Sequence, residues 1–295
     1  MYDIERIYNP TTINEALRLL KEIPEAVLLA GGTDVMIRLK HRKLKKANLI
    51  YIREIEELTG VYLKADGTIV IRPGTCFDDI YRNEICRKHI PILSHACNTV
   101  GSPQIRNIGT IGGNLCNGAV SADSVPSLYV LDAELVIKNA DGERIVPVTQ
   151  FHTGPGRTIL ERNEILTEIR IRKASYENYG GCYIKIGQRN SMEISTLGCA
   201  AAVRLDREGQ NINDVRIAFG VAGPVPIRTR DLERALKGKA VDDSLYSFIS
   251  LNVLNELNPR DSWRASKELR EQLIRTLSVR AVKKAIEDAG GARNA

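Results

Sequence analysis

Two pairs of adjacent glycines constrain this chain more than any other feature. The apolar run Ala26-Val27-Leu28-Leu29-Ala30 stops abruptly at Gly31-Gly32, and a second pair, Gly112-Gly113, lies far along the sequence. Two successive glycines sit poorly inside a strand or helix, so each pair marks a turn that takes an unusual backbone angle or comes close to another group. After the first pair, Thr33 is placed to cap a helix through Val35, Met36 and Leu39, and Leu49-Ile50-Tyr51-Ile52 reads as a further strand. Strand, glycine turn, helix and strand predict a small βαβ unit.

The remaining patterns predict an α+β chain. Thr12-Ile13-Asn14-Glu15 has the capping-box form, with Ile13, Leu17 and Leu20 at helical spacing. Alternating runs at Val61 to Leu63 and Thr68 to Ile71 flank Asp66-Gly67 as a hairpin, and Leu135 to Lys138 and Arg144 to Val148 flank Asp141-Gly142 as another. Helices are expected from Phe77 to Arg87 and from Ile92 to Val100, followed by an irregular glycine-rich loop from Gly101 to Gly118 and a strand from Ile165 to Ile171. The polar stretch Lys173 to Gly181 predicts a domain boundary. Beyond it come strands at Cys182 to Ile186, Thr196 to Leu205 and Val215 to Val221. Helices then follow at Thr229 to Leu236, Ser244 to Leu254 and Ser266 to Ala289.

With 295 residues, 43% of them hydrophobic, the chain is long enough for about two domains with substantial cores. It has no apolar run of the roughly 18 residues a membrane span needs. Met1 to Arg6 carries charge where a secretory leader would have a basic start and an apolar stretch, so a cytoplasmic protein is expected. The six cysteines are widely spaced, as expected of reduced thiols, and the four histidines lack metal-ligand or triad spacing. A net charge of +6 over this length is a mild bias, and no nucleic-acid or membrane partner is indicated. The basic run at Lys40, Arg42, Lys43, Lys45 and Lys46 reads as a solvated loop, with docking of an acidic subunit as the alternative.

Between a strand and a helix, Gly31-Gly32 can bring bare backbone and helix amides to an anion such as a pyrophosphate, although an ordinary tight turn uses the same residues. Gln104 to Asn114 surrounds the second pair with amide, hydroxyl and guanidinium groups suited to phosphate or ribityl oxygens. Neither stretch has the spacing of a GxGxxG fingerprint or a Walker loop.

Leu29-Ala30-Gly31-Gly32-Thr33-Asp34, together with Gln104-Ile105-Arg106-Asn107 and Thr110-Ile111-Gly112-Gly113-Asn114, resembles the two flavin signatures of the FAD-binding subunit of the molybdenum hydroxylases, the xanthine dehydrogenase and carbon monoxide dehydrogenase superfamily. The resemblance runs nearly end to end. Phe151 to Gly156 and Ser262 to Lys267 look most like the separate FAD subunit of bacterial xanthine dehydrogenases. The resemblance implies a two-part FAD-binding domain over residues 1–175, a small βαβ unit at about 1–55 and a larger α+β unit at 56–175. A C-terminal antiparallel sheet with helices would follow over 180–295.

It further implies noncovalent FAD held by Val27, Leu28, Leu29, Ala30, Gly31, Gly32, Thr33 and Asp34 and by Gly109, Thr110, Ile111, Gly112, Gly113 and Asn114. Asp123, Ile165, Ile184 and Lys185 fall at further flavin-contacting positions, Lys185 where it could touch the cofactor directly and steady an anionic reduced ring. Val100 stands where some relatives have an aromatic residue, and the loop Gly187 to Glu193 is less acidic than theirs. Cys116 and Asn117 read as packing neighbours of the second turn.

Two partner chains are implied, one carrying the molybdenum cofactor and one carrying two-iron clusters. The absence of closely spaced cysteines predicts no cluster in this chain. Electrons would run from molybdenum through the clusters and FAD to NAD, in a cytosolic complex that hydroxylates a purine. Three alternatives stay open at this point: a related hydroxylase acting on nicotinate, an aromatic compound or carbon monoxide; a self-sufficient flavin oxidoreductase; and an assembly module without flavin.

Overall fold

The computed structural model describes residues 2–189 and 191–290; Asn190 of the loop after Lys185 and the last five residues of the expected C-terminal domain lie outside them. The first unit runs β1 (Ile4–Tyr8), α1 (Ile13–Glu22), β2 (Val27–Leu29), α2 (Val35–Lys40) and β3 (Ala47–Tyr51), with its three strands parallel in the order β1-β3-β2. This is the expected βαβ unit with one strand more. In α1, the Thr12 hydroxyl accepts from the Glu15 amide at 3.2 Å while the Glu15 carboxylate reaches back to the Thr11 amide at 2.8 Å. The helix buries Ile13, Ala16, Leu17, Leu19 and Leu20. β1 escapes the sequence pattern because its central residues, Glu5, Arg6 and Ile7, are all exposed at the sheet edge.

The second unit begins with the expected hairpin, β4 (Val61–Leu63) and β5 (Ile69–Ile71). Six helices follow: α3 (Phe77–Arg82), α4 (Glu84–His89), α5 (Pro91–Asn98), α6 (Pro103–Arg106), α7 (Ile111–Cys116) and α8 (Ser124–Val130). It closes with the β6 (Glu134–Lys138) and β7 (Glu143–Pro147) hairpin, the small β8 (His152–Gly154) and β9 (Arg157–Thr158) pair, and β10 (Ile165–Ile171). The strands outside the β8–β9 pair form a five-stranded antiparallel sheet in the order β4-β5-β10-β6-β7.

Two expectations need correction here. The helix expected from Phe77 to Arg87 is broken at Asn83, whose extended backbone lets its side chain cap Cys86 at 3.2 Å. The stretch expected as an irregular loop from Gly101 to Gly118 contains α6 and α7, capped by Ser102 on Ile105 and by Thr110 on Gly113. Side-chain caps offset the poor helix propensity of the Gly-Gly pair.

The third unit is a four-stranded antiparallel sheet, β11 (Gly180–Ile186), β12 (Leu197–Leu205), β13 (Ile212–Gly220) and β14 (Ile227–Arg228). Its helices are α9 (Arg230–Leu236), α10 (Asp243–Asn252) and the long α11 (Lys267–Asp288). In β12, Cys199, Ala201 and Val203 face the core made with these helices, whereas Ala200 and Ala202 join Tyr183 and Ala218 in the core of the second unit. Coverage on both faces explains why the strand is so rich in small apolar residues. The α+β class with an antiparallel C-terminal sheet is as expected.

A buried ion network joins the second unit to the third. Arg228 donates to Glu233 at 2.7 Å and to Asp132, and Arg216 reaches Asp132 at 3.1 Å while donating to the carbonyls of Val130 and Ser175. Glu233 also accepts from the Ile217 amide at 2.9 Å. Removing one member strands a buried charge, so Glu233→Leu should cost about 3 kcal/mol in urea unfolding. A loss under about 0.5 kcal/mol would show that Arg228 does not depend on Glu233 for its place in the network.

His152 is the second buried tie. The Leu115 carbonyl can only accept, so Nε2 carries the proton and donates to it at 3.1 Å, which leaves Nδ1 to accept from the Tyr129 hydroxyl at 3.2 Å. Burial holds the imidazole below its ordinary value of 6.5. The unfolded chain therefore takes up a proton first, and the stability His152 contributes above pH 6.5 is lost as pH falls. The gap in urea midpoint between the wild type and His152→Gln should narrow from about pH 7 to about pH 5.5. A constant gap would contradict the assignment.

Candidate functional site

The first glycine turn and the loop before the second meet directly. A Cβ on Gly31 would sit 1.9 Å from the Ile108 carbonyl oxygen, so only glycine allows this approach. Arg53, just beyond β3, braces the contact by donating to the carbonyls of Ile108 at 3.0 Å and Asn107 at 3.2 Å. The second pair is not the turn expected of it but lies in the first turn of α7, where a Cβ on Gly112 would meet Pro73 at 2.3 Å and the Gly112 amide donates to the Pro73 carbonyl at 2.8 Å. Gly31 and Gly112 are thus used to pack backbone on protein, in contrast to the sequence expectation that they clear space for a ligand. Gly32 is needed for another reason, its φ of +75°.

Between the turns lies a cleft of about 470 Å³. Of the residues expected to bind flavin, Val27, Leu28, Ala30, Gly31, Gly32, Thr33, Asp34, Gly109, Thr110, Gly112, Gly113, Asn114 and Ile165 line it. Thr33 does not cap α2; Asp34 takes the N-cap position without a side-chain cap bond. Among the described residues, no backbone carbonyl accepts from the amides of Gly31, Gly32, Thr33, Asp34 or Val35, so successive donors remain at the edge of the cleft. Such a row is suited to phosphate oxygens. Partial burial raises the Asp34 carboxyl above its ordinary value, against the lowering pull of Asn117 and Arg38.

Five expected residues do not line the cleft. Leu29 packs in a small core with Leu39, Ala47 and Leu49; Ile111 is wholly buried in the second unit; Ile184 packs on the helix side of the third. Asp123 and Lys185 pair with each other at 2.8 Å. The Lys185 ammonium also donates to the carbonyls of Thr99 at 2.9 Å and Glu193 at 3.1 Å, so its three protons are all engaged. Asp123 accepts in addition from Tyr183 and Ser195. Lys185 is therefore a staple between the end of α5 and the loop after β11, and it makes none of the expected direct approach to the cleft. The neighbouring Ser124 donates to Asn114 at 2.8 Å, which links this network to the cleft wall.

The cleft also contains residues that the sequence reading did not assign to the ligand, among them Arg38, Phe77, Leu160 and Leu166. Arg38 lies one helical turn after Asp34 on α2, a spacing that could have marked it. Phe77 and Pro73 come from the segment after β5, and nothing in their local sequence points to this cleft. Burial pushes the Cys116 thiol up to about 12, so it packs and does not react. Among the described residues there is no group of three or more His, Cys, Asp or Glu able to hold a metal, and no helix long and apolar enough to cross a membrane.

Comparison with known proteins fits this geometry. Residues 2–173 match the family model described as "FAD binding domain in molybdopterin dehydrogenase", and residues 182–285 match "CO dehydrogenase flavoprotein C-terminal domain". The chain is 40% identical over 291 residues to the xanthine dehydrogenase FAD-binding subunit of Escherichia coli O157:H7, covering 99% of each. It is 35% identical over 244 residues to the nicotinate dehydrogenase FAD-subunit of Eubacterium barkeri, covering 81% of each. In structure it resembles a chain of the carbon monoxide dehydrogenase from Hydrogenophaga pseudoflava that lacks the Mo-pyranopterin moiety of the molybdenum cofactor, with TM-score 0.92, 28% identity and coverage of 98% of this chain and 99% of that one. The chain belongs to the family of FAD-binding subunits of the molybdenum hydroxylases.

Proposed function

We propose that this chain holds FAD noncovalently as the electron-transfer subunit of a cytoplasmic, molybdenum-containing xanthine dehydrogenase, taking electrons from two-iron clusters in one partner and delivering them to NAD. A further partner would carry the molybdenum cofactor and oxidise the purine. The observation that carries the reading is the cleft between the glycine turns, with its row of free amides at one edge and apolar side chains within. The likeness to the Escherichia coli xanthine dehydrogenase subunit supports the choice of complex. The nicotinate dehydrogenase subunit supports the alternative of a related hydroxylase, because such a cleft would serve whichever substrate the molybdenum partner selects.

Flavin, when bound, supplies an electron acceptor that takes one or two electrons and passes a pair on as hydride. This chain's task is to hold and shield it. The Gly31 to Val35 amides would bind the pyrophosphate, with Arg38 available as a counter-charge, while Asn114 and Thr110 offer hydrogen bonds to ribityl oxygens. Phe77, Leu160, Ile165 and Leu166 provide the dry wall for a flat ring. The Asp123–Lys185 pair holds Glu193 and Ser195 in a network that reaches the cleft wall through Ser124 and Asn114. A self-sufficient oxidase would need a substrate base here, and Asp34, Arg38 and Cys116 are the titratable residues lining the cleft. The Arg38 guanidinium only donates hydrogen bonds, Cys116 is pushed up to about 12, and Asp34, whose carboxyl burial raises, lies in the turn among the free amides where the pyrophosphate would sit.

Two measurements test this reading. Gly31→Ala forces the turns apart, at a cost of about 1–3 kcal/mol, and should lower FAD content per chain about tenfold while circular dichroism stays near wild type. Gly142→Ala, where a Cβ meets nothing within 4 Å, is the control. Normal flavin content in Gly31→Ala would remove this contact from the site.

The flavin-loaded chain should release unmodified FAD on acid denaturation and oxidise NADH with an artificial acceptor, yet leave purines untouched. In the complex, stripping FAD should abolish purine-dependent NAD reduction and spare electron transfer from purine to an upstream dye. Purine oxidation by the isolated loaded chain would overturn the proposal.

A further inference from the structure

The chain's charge is not spread over its surface. Of 42 Lys and Arg residues, six fall together as Arg38, Lys40, Arg42, Lys43, Lys45 and Lys46, with no acid between them. Against 36 Asp and Glu in all, this one segment accounts for the whole net charge of +6, and the rest of the chain is balanced. All six side chains are exposed, and among the described residues none forms an ion pair. A block of unpaired like charge repels itself and throws a directed field into the solvent.

The segment is held in a defined shape. The amides of His41 and Lys43 donate to the carbonyls of Ile37 and Arg38 at 2.9 Å, closing the end of α2, and Arg42 stands in that closure with a φ of +54°, a position that favours glycine. Lys46 takes a second left-handed position, with a φ of +43°. Cations thus occupy both places where glycine would fit more easily. Leu44 packs against the small core of Leu39, Ala47 and Leu49, which also holds Val27 and Leu29 of β2. The segment therefore shares a core with the strand that leads into the first glycine turn. Its near end reaches the cleft, where Arg38 is part of the lining. Only the six residues of α2 separate the free amides from Lys40, a length of about 9 Å that is comparable to the screening length of about 8 Å at physiological salt.

We propose that the segment from Arg38 to Lys46 is an electrostatic guide that draws the diphosphate of the flavin dinucleotide to the amides of the first glycine turn. The inference rests on the reading of FAD as the cofactor. The pyrophosphate of FAD is negatively charged, and Arg38 makes the positive segment continuous with the amides that would receive it. The outer cations act during approach, so they set the rate of association and leave dissociation to the cleft. An acidic partner subunit would meet the same cations, but a docking surface has an apolar centre within its polar rim, and Leu44, the one apolar residue from Lys40 to Lys46, packs inward.

Rapid mixing of the deflavinated full chain with FAD, followed by flavin fluorescence, measures the association rate. Raising the salt from about 10 mM to about 1 M shortens the screening length from about 30 Å to about 3 Å and should slow wild-type association about tenfold. Combining Lys40→Gln, Lys43→Gln and Lys45→Gln, all outside the left-handed positions, should slow association about tenfold at low salt and remove most of the salt dependence, with dissociation and circular dichroism near wild type. Combining Arg207→Gln, Lys237→Gln and Arg280→Gln takes as many exposed cations from the third unit and should leave the rate near wild type. Equal slowing in the two variants would overturn the guide in favour of net charge alone. FAD uptake at a rate indifferent to salt and to the three lysines would overturn it outright and keep the flavin reading. A three-lysine variant that takes up FAD normally but no longer copurifies with partner subunits would overturn it in favour of a docking surface. No FAD uptake by the wild-type chain at any salt would overturn the flavin reading itself.

Discussion

The approach of Gly31 to the Ile108 carbonyl governs how this molecule makes a cleft. The two segments belong to different units, and no side chain larger than hydrogen fits between them. The Arg53 guanidinium donates to the carbonyls of Asn107 and Ile108, and the Pro73 carbonyl accepts from the Gly112 amide. Three chain segments are thereby locked by backbone contacts, which have little freedom to adjust. Because the amides from Gly31 to Val35 are not spent on these contacts, the same packing that joins the units leaves donors for a ligand.

The third unit supports this arrangement from outside the cleft. Its sheet lies between two cores, so β12 can carry only small or well-fitted side chains, and its position is fixed by both. From that sheet Lys185 reaches Asp123 and the carbonyls of Thr99 and Glu193, while Tyr183 and Ser195 complete the shell around Asp123. A buried ammonium with every proton engaged is costly to move, since withdrawing it would strand the Asp123 carboxylate in a poorly hydrated place. Glu193 and Ser195, in the loop after β11, are consequently positioned by an ion pair.

What the sequence made legible follows from how local the determining forces are. The β4–β5 and β6–β7 hairpins, β10 and α11 were readable because alternation, turn residues and helical spacing all act within a few residues. The glycine turns were readable as special positions, but the reason for them was not, since Ile108 and Pro73 are identifiable as neighbours only in three dimensions. β1 lacked a pattern because its middle is exposed, and α8 because it is buried on every side, so neither has the alternation that marks a half-covered element. Asp123 and Lys185 were singled out separately, each as a flavin-contacting position, and their engagement with each other depends on a sheet position no local signal encodes. Arg38 was the one cleft residue within reach of a helical-spacing argument.

The chemistry of the side chains gives the fold its division of labour. Cys116 is pushed to about 12 by burial, and His152 is kept neutral with both ring nitrogens committed to Leu115 and Tyr129. Cys116 and His152 are thus spent on packing, while the cleft is left with amide donors, apolar walls, the Arg38 guanidinium and the Asp34 carboxyl. That is the inventory of a scaffold that binds and orients other molecules.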